Sequence, residues 1–265
     1  MAKLLVFCES PVDFETVQGL VERVMREQGP DWVRELLEGP PEAAQGFRVW
    51  VPDGEGRNYF DLHQLSVYAS RLKLRRPQGH FAGQPGEAGA LMGRTAFFVA
   101  RELALSGTEL DAVILVWDMD DQGTVRRMGL AQASTEARPL VPFVIVLGCP
   151  DPMREAWVLA GFEPETDAER TRLADMRQEL GFNPCEEAHR LDAKKEHAKR
   201  SPKRVLEVLT AGERDREVRC WTEASLVLLR ARGTHSGLTA FLDEAAESLV
   251  PRLSGVPPKP LIAQD

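Results

Sequence analysis

Ala112-Val-Ile-Leu-Val-Trp-Asp118-Met-Asp120-Asp121 is the stretch that decides the fold. Six apolar residues in a row read as a strand buried on both faces, and the run stops abruptly at carboxylates. Two further runs have the same character. Lys3–Cys8 (KLLVFC) is followed by Glu9, and Pro142–Leu147 (PFVIVL) is followed by a segment containing Glu155. Continuous apolar strands alternating with amphipathic helical segments predict an α/β fold with a parallel sheet covered by helices. Open sheets of this kind bind ligands outside the carboxyl ends of their strands. Acidic clusters collected at that edge point to a hard divalent cation such as Mg²⁺.

Outward from these strands, the expected order is β-α-β-α-β-α-β. Thr16–Glu27 carries Val17, Leu20, Val21 and Val24 at helical spacing. Asp31–Glu38 reads as a short helix with Asp31 as its N-cap, and Phe47–Val51 as a strand. Pro52–Gly89 is rich in Gly and Pro and reads as an irregular insertion, long for a connection inside a domain. Ala90–Leu105 returns to helix, with Leu91, Phe98 and Leu105 seven apart. Beyond Pro150 the pattern is helical: Pro152–Ala160, Asp167–Leu180, Lys203–Leu209 capped by Ser201-Pro202, Glu213–Leu229 and Gly237–Leu249. The expected organisation is a core over 1–150 with the insertion around 52–89, a helical C-terminal extension over 151–250, and an extended proline-rich tail over 251–265.

The chain has 265 residues, of which 43% are apolar and 28% charged, a globular composition. No apolar run approaches the roughly 20 residues that span a bilayer, and Met1-Ala2-Lys3 leads straight into a strand. The expected location is the cytoplasm, with no membrane partner. Cys8, Cys149, Cys185 and Cys220 lack zinc spacing, and Cys8 and Cys149 read as buried thiols. His63, His80, His189, His197 and His235 show no ligand spacing either, and Trp157 reads as a core anchor. The net charge of −8 argues against a protein that coats nucleic acid, but local charge differs. Arg71–Arg76 carries four basic residues, and Arg190–Arg204 carries seven: Arg190, Lys194, Lys195, Lys199, Arg200, Lys203 and Arg204.

The acids could act together. Neighbouring strands lie about 5 Å apart, so Glu9 and the Asp118/Asp120 pair could reach one cation. Uncompensated carboxylates would raise one another's pKa, and a cation is their natural counter-charge. Two adjacent ions would stabilise the attacking and leaving oxygens of a phosphodiester displacement. The bland readings are specific too. Asp121 fits a turn residue, and Glu155 fits a first-turn acid favoured by the helix dipole.

At these residues the chain resembles Toprim domains, the Rossmann-like metal-binding fold of topoisomerases, primases and several nucleases. That pattern has a strand ending in Glu, usually followed by Gly, then an acid, and a later strand ending in Asp-x-Asp. Here the elements are Phe7-Cys8-Glu9-Ser10-Pro11-Val12-Asp13 and Val116-Trp117-Asp118-Met119-Asp120. Ser10 stands where Gly is usual. Pro150-Asp-Pro-Met-Arg-Glu155-Ala-Trp157-Val-Leu-Ala160 and Ser201-Pro202-Lys203 are similar to segments of bacterial nucleases of the overcoming-lysogenization-defect (OLD) type. The resemblance implies that Glu9, Asp13, Asp118, Asp120 and Glu155 form a Mg²⁺ or Mn²⁺ site. It implies Lys203 as a cation on the phosphate or the transition-state charge. It also implies cleavage or nicking of DNA and a role in anti-phage defence. Such proteins are often encoded beside, or fused to, an ATPase; this chain has no GxxxxGK[ST] loop, so any ATPase would be a separate subunit.

Three readings follow. The first is a metal-dependent endonuclease of Toprim type. Glu9 and Glu155 share the roles of ligand and water-activating base in either order. Asp118 and Asp120 hold one ion or two. Lys194, Lys195, Lys199, Arg200, Lys203 and Arg204 contact nucleic-acid phosphates, so that binding falls with salt. The second is a non-cleaving Toprim-like scaffold or regulatory subunit that binds a partner protein. The third is phosphoryl chemistry of another kind, a receiver-type Asp118 or a small phosphatase. A receiver would not need Glu155, and a haloacid-dehalogenase-type phosphatase has its Asp-x-Asp on the first strand. An oligomer is compatible with all three.

Overall fold

The computed structural model describes residues 1–75, 78–81 and 83–261. Strand β1 (Ala2–Cys8) is sealed from solvent from Leu4 to Cys8. Alternate side chains of a strand point to opposite faces, so both faces of β1 are covered. Strand β2 (Arg48–Trp50) pairs with its first half, Ala2–Leu4, and β3 (Phe60–Asp61) pairs with its end, Phe7–Cys8. Two short strands thus share one lane. On the other side β6 (Ala112–Val116) pairs with Leu4–Phe7, and β7 (Val144–Gly148) pairs with β6. Every pairing in this five-stranded sheet is parallel, in the order β2-β1-β6-β7 with β3 also on β1. The chain is α/β with a Rossmann-like sheet flanked by helices, as its sequence implies.

Helix α1 (Pro11–Gln28) starts where Ser10 Oγ accepts the Asp13 amide at 3.2 Å, with Pro11 in the first turn. Its buried stripe is Val17, Leu20, Val21 and Val24. Helices α2 (Asp31–Glu38) and α3 (Pro41–Phe47) follow. Pro30 rather than Asp31 is the cap of α2. Helix α5 (Ala90–Leu105) has the expected span, but Leu91 and Leu105 face solvent. Its inward face is Ala90, Gly93, Ala96, Phe97 and Ala100. The reason is close packing on α6 (Gly123–Ala137): a Cβ on Gly93 would lie 3.0 Å from Ala133 Cβ.

The insertion expected to be irregular holds β3, a short helix α4 (Leu65–Arg71) and an antiparallel hairpin of β4 (His80–Phe81) and β5 (Gln84–Pro85). Polar pairing orders it. The Asp53 carboxylate is fully buried. It accepts the Glu55 amide at 2.7 Å, Arg57 Nε at 2.7 Å and Tyr68 Oη at 3.2 Å. Arg94 spans Glu136 and the His80 carbonyl, with its guanidinium 3.5 Å from the Phe81 ring centroid. In the basic run nearby, Arg71 pairs with Glu55 at 2.5 Å, while Arg76 lies outside the described residues.

After β7 come α7 (Arg154–Ala160), α8 (Asp167–Leu180), α9 (Pro202–Thr210), α10 (Arg214–Thr222), α11 (Leu226–Gly233) and α12 (Leu238–Glu244). The single helix expected over Glu213–Leu229 is two, because Ser225 Oγ accepts the Leu228 amide at 3.1 Å and starts α11 afresh. The tail expected over 251–265 begins as helix. A π-helical turn, Ala245–Leu249, leads without a break into α13 (Val250–Ser254), which holds Pro251. Residues 262–265 of that tail lie outside the described residues. No helix among the described residues is long and apolar enough to cross a membrane.

The chain forms two compact units. One comprises Met1–Trp117, Thr124–Gly148 and Asp243–Pro260; the other comprises Asp118–Gly123 and Cys149–Leu242, with Leu261. The first is built on the sheet. The second is helical around Trp157, whose ring stacks on Phe241 at 4.9 Å and whose Nε1 donates to the Ser236 carbonyl at 2.8 Å. All four cysteines are buried free thiols.

Candidate metal centre

In the first unit, Glu9 is the residue after β1 and is partly covered. Ser10, where Gly was the expected residue, is the N-cap of α1, which places Asp13 in the first turn. A carboxylate there is favoured by the helix dipole. Strand β3 ends beside Cys8 at Asp61, whose Oδ1 accepts the His63 amide at 2.8 Å. The 3₁₀ turn Leu62–Gln64 then sets His63 Nε2 3.6 Å from Glu9 Oε1. Burial pushes the Cys8 thiol far up, and Asp13, Asp61 and Glu9 push it the same way. The thiol is therefore a neutral core group, and the three carboxylates around it form the acidic edge. β1 and β6 are direct neighbours, and the chain passes from β6 through Trp117 to Asp118.

In the second unit, the Asp118–Gly123 loop is held by backbone bonds. The Met119 amide donates to the Pro150 carbonyl at 2.9 Å, and the Asp120 amide to the Pro152 carbonyl at 2.7 Å. Met119 is fully buried as the plug of this loop. Asp120 sits at φ 50°, a left-handed conformation that Asp tolerates better than most residues, and is exposed. Asp118 Oδ1 accepts the Arg154 amide at 3.0 Å, so its carboxylate caps the first turn of α7. Glu155, in the same turn, is largely covered and lies 3.4 Å from Arg154 Nη2. Arg154 is also tied to Glu217 at 2.7 Å. Asp121 is exposed and pairs with Lys194 at 2.6 Å.

Among the described residues, no three His, Cys, Asp or Glu side chains converge as a ready ligand set. The donors at hand are carboxylate oxygens, the hard type that suits Mg²⁺ and Mn²⁺. Mg²⁺ usually takes only one or two carboxylates and fills its remaining positions with waters and phosphate oxygens. The residues fit such an ion by donor chemistry.

The basic segment is heavily engaged in ion pairs. Besides Lys194, Arg190 pairs with Glu187 at 2.8 Å, Arg200 with Asp192 at 3.6 Å, Lys203 with Glu196 at 3.3 Å and Arg204 with Glu179 at 3.0 Å. Lys195 and Lys199 are exposed. Lys203 is in the first turn of α9 behind the Ser201 cap. Exposed pairs of this kind are worth about 0–1 kcal/mol, so they yield readily to a phosphate.

Three residues beside these acids escaped the sequence reading. Asp61 and His63 lie in the insertion, where no periodicity marks them. Asp151 lies three residues past β7, closer to its strand end than Glu155, so the strand-end pattern is the signal that could have found it. A Cβ on Gly123 would meet Asp151 Oδ2 at 2.7 Å, so the Asp151 carboxylate lies close against Gly123. Burial, then the neighbouring His235 ring with its centroid 4.7 Å away, lowers the His189 pKa, while Asp151 opposes the shift. No protein-family model matches the chain, and neither does any curated protein or solved structure.

Proposed function

We propose that this chain is a Toprim-type, divalent-metal-dependent endonuclease that cuts or nicks DNA, the effector of an anti-phage system with a separate ATPase subunit. The observation that carries the reading is the pairing of β1 with β6, two parallel neighbours each followed within two residues by a carboxylate. Glu9, Asp13, Asp118, Asp120 and Glu155 supply the oxygen donors. A bound Mg²⁺ or Mn²⁺ would supply charge stabilisation at the phosphoryl oxygens and a more acidic water. Either Glu9 or Glu155 takes the proton of the attacking water. Lys203 sets its ammonium against the phosphate, and Lys194, Lys195, Lys199, Arg200 and Arg204 hold the flanking backbone as charges that release counterions.

The second reading, a non-cleaving scaffold that binds a partner protein, is favoured by the cap that Asp118 supplies to α7 and by the ion pairs along the basic segment. Calorimetric titration with Mn²⁺ and Mg²⁺, wild type beside Asp118→Asn, separates the two. Asn keeps an oxygen that accepts the Arg154 amide but loses the charge. The nuclease reading expects saturable binding that vanishes in Asp118→Asn, and metal-dependent cleavage of DNA once the ATPase is present. Unchanged binding in the variant, or no cleavage with the partner present, overturns it in favour of the scaffold.

A further inference from the structure

We infer that a cleft between α4 and α5 receives one unstacked nucleobase of a single-stranded nucleic acid. The inference rests on the nuclease reading and narrows its substrate. The cleft is open to solvent and has a volume of about 450 Å³, within the range of roughly 300–1,000 Å³ typical of ligand sites. Leu62, Leu65, Leu91 and Met92 form its walls. Ser66 and Thr95 bring hydroxyls, and His63 is the single ionisable group in the lining. Such a lining suits an uncharged group with an apolar face and hydrogen-bonding edges.

His63 also links the cleft to the strand end. Its Nε2 is 3.6 Å from Glu9 Oε1, so the cleft meets the acidic edge at the end of β1. A ligand filling both places has an uncharged, polar-edged body a few ångströms from a group that wants a cation. A nucleotide has that form: base in the cleft, phosphodiester towards Glu9. Proteins that act on nucleic acid hold a base taken out of its stack between apolar side chains and read its edge by hydrogen bonds. In a duplex the base is already stacked and paired, and extracting it costs free energy that a single strand is spared. The bland reading is a packing gap between two helices. Leu91 argues against it, since this large apolar residue lines the cleft while about half exposed, instead of filling it.

The test is methyl NMR of the full chain, titrated with a single-stranded oligonucleotide and with its duplex, alongside the Mn²⁺ titration. Methyl signals of Leu62, Leu65, Leu91 and Met92 are expected to move with the single strand at concentrations about tenfold lower than with the duplex. Thr95→Trp fills the cleft and is expected to weaken single-strand binding about tenfold. Leu91→Asp, at an exposed position, gives the same loss if the Trp variant fails to fold. Unmoved methyls, an equal response to duplex, or full affinity in both variants overturns the inference. Methyls that shift only with protein concentration show a second copy in the cleft and overturn it too. Moving methyls without Mn²⁺ binding keep the base site and sink the nuclease reading; Mn²⁺ binding with unmoved methyls does the reverse.

Discussion

Asp118 is asked to serve two purposes. Its Oδ1 accepts the Arg154 amide at 3.0 Å, and its charge faces the positive end of α7. Asp118→Ala therefore loses a cap as well as a donor, and chemical denaturation is expected to show a cost of about 1 kcal/mol that Asp118→Asn largely escapes. Equal stability of the two variants would separate Asp118 from the helix. Asp53 is another charged residue with a clear thermodynamic signature. Burial alone would raise its pKa, but the amides of Glu55 and Arg57 and the Arg57 guanidinium outweigh that and hold it below the ordinary carboxylate value. A depressed folded pKa stabilises the protein above the unfolded pKa of about 4, and the contribution is lost as pH falls through the lower folded value. Asp53→Asn is expected to cost about 2 kcal/mol at pH 7. It is also expected to flatten the stability curve below pH 4. A variant that keeps the wild-type acid limb would remove Asp53 from this role.

Between elements, glycine decides how close two backbones come. Gly161 ends α7 where a Cβ would run into the Cys220 carbonyl of α10, and Gly129 of α6 meets the Ala88 carbonyl in the same way. A β-carbon at either place must push a backbone aside. Gly161→Ala is expected to cost about 1–3 kcal/mol, read as a lower melting temperature. A melting temperature equal to wild type would mean that α7 and α10 separate freely. The same close packing explains which parts of the elements were legible in sequence. β1, β6 and β7 announce themselves because a strand buried on both faces must be apolar at every position. The inward face of α5 does not. Its seven-residue repeat of Leu91, Phe98 and Leu105 looks like a core stripe, yet Gly93, Ala96, Phe97 and Ala100 turn inward instead, and at Gly93 the approach of α6 demands a small residue. The break between α10 and α11 rests on one Ser225 cap, too small a signal against the apolar spacing around it.

On the scale of the whole chain, the C-terminal segment belongs to the unit built on the sheet. Glu244 accepts the Leu147 amide at 2.9 Å and pairs with Arg138; Arg252 pairs with Asp111 at 3.3 Å. Lys259 pairs with Asp31 at 2.9 Å, and its amide donates to the Gln28 carbonyl at 2.7 Å. A chain ending at Leu242 also loses the fully buried Leu249 and Val250, worth about 3–6 kcal/mol together. Such a truncation is expected to lose amide-exchange protection in β7 and to unfold at lower denaturant. Protection of β7 equal to that of the full chain would show the segment to be dispensable.

The amino-acid sequence by itself determined the α/β class, the three apolar strands β1, β6 and β7, and which acids follow them. Those are local properties: a buried strand is written in consecutive residues, and its end is written by the first charge. Only the tertiary structure decided that β2 and β3 share one lane along β1. Only it placed His63 beside Glu9, gave Asp118 a helix to cap, and tied most of the basic segment to acids. Each of these joins residues distant in the chain or turns on the direction of one side chain, and neither leaves a periodic trace in the sequence.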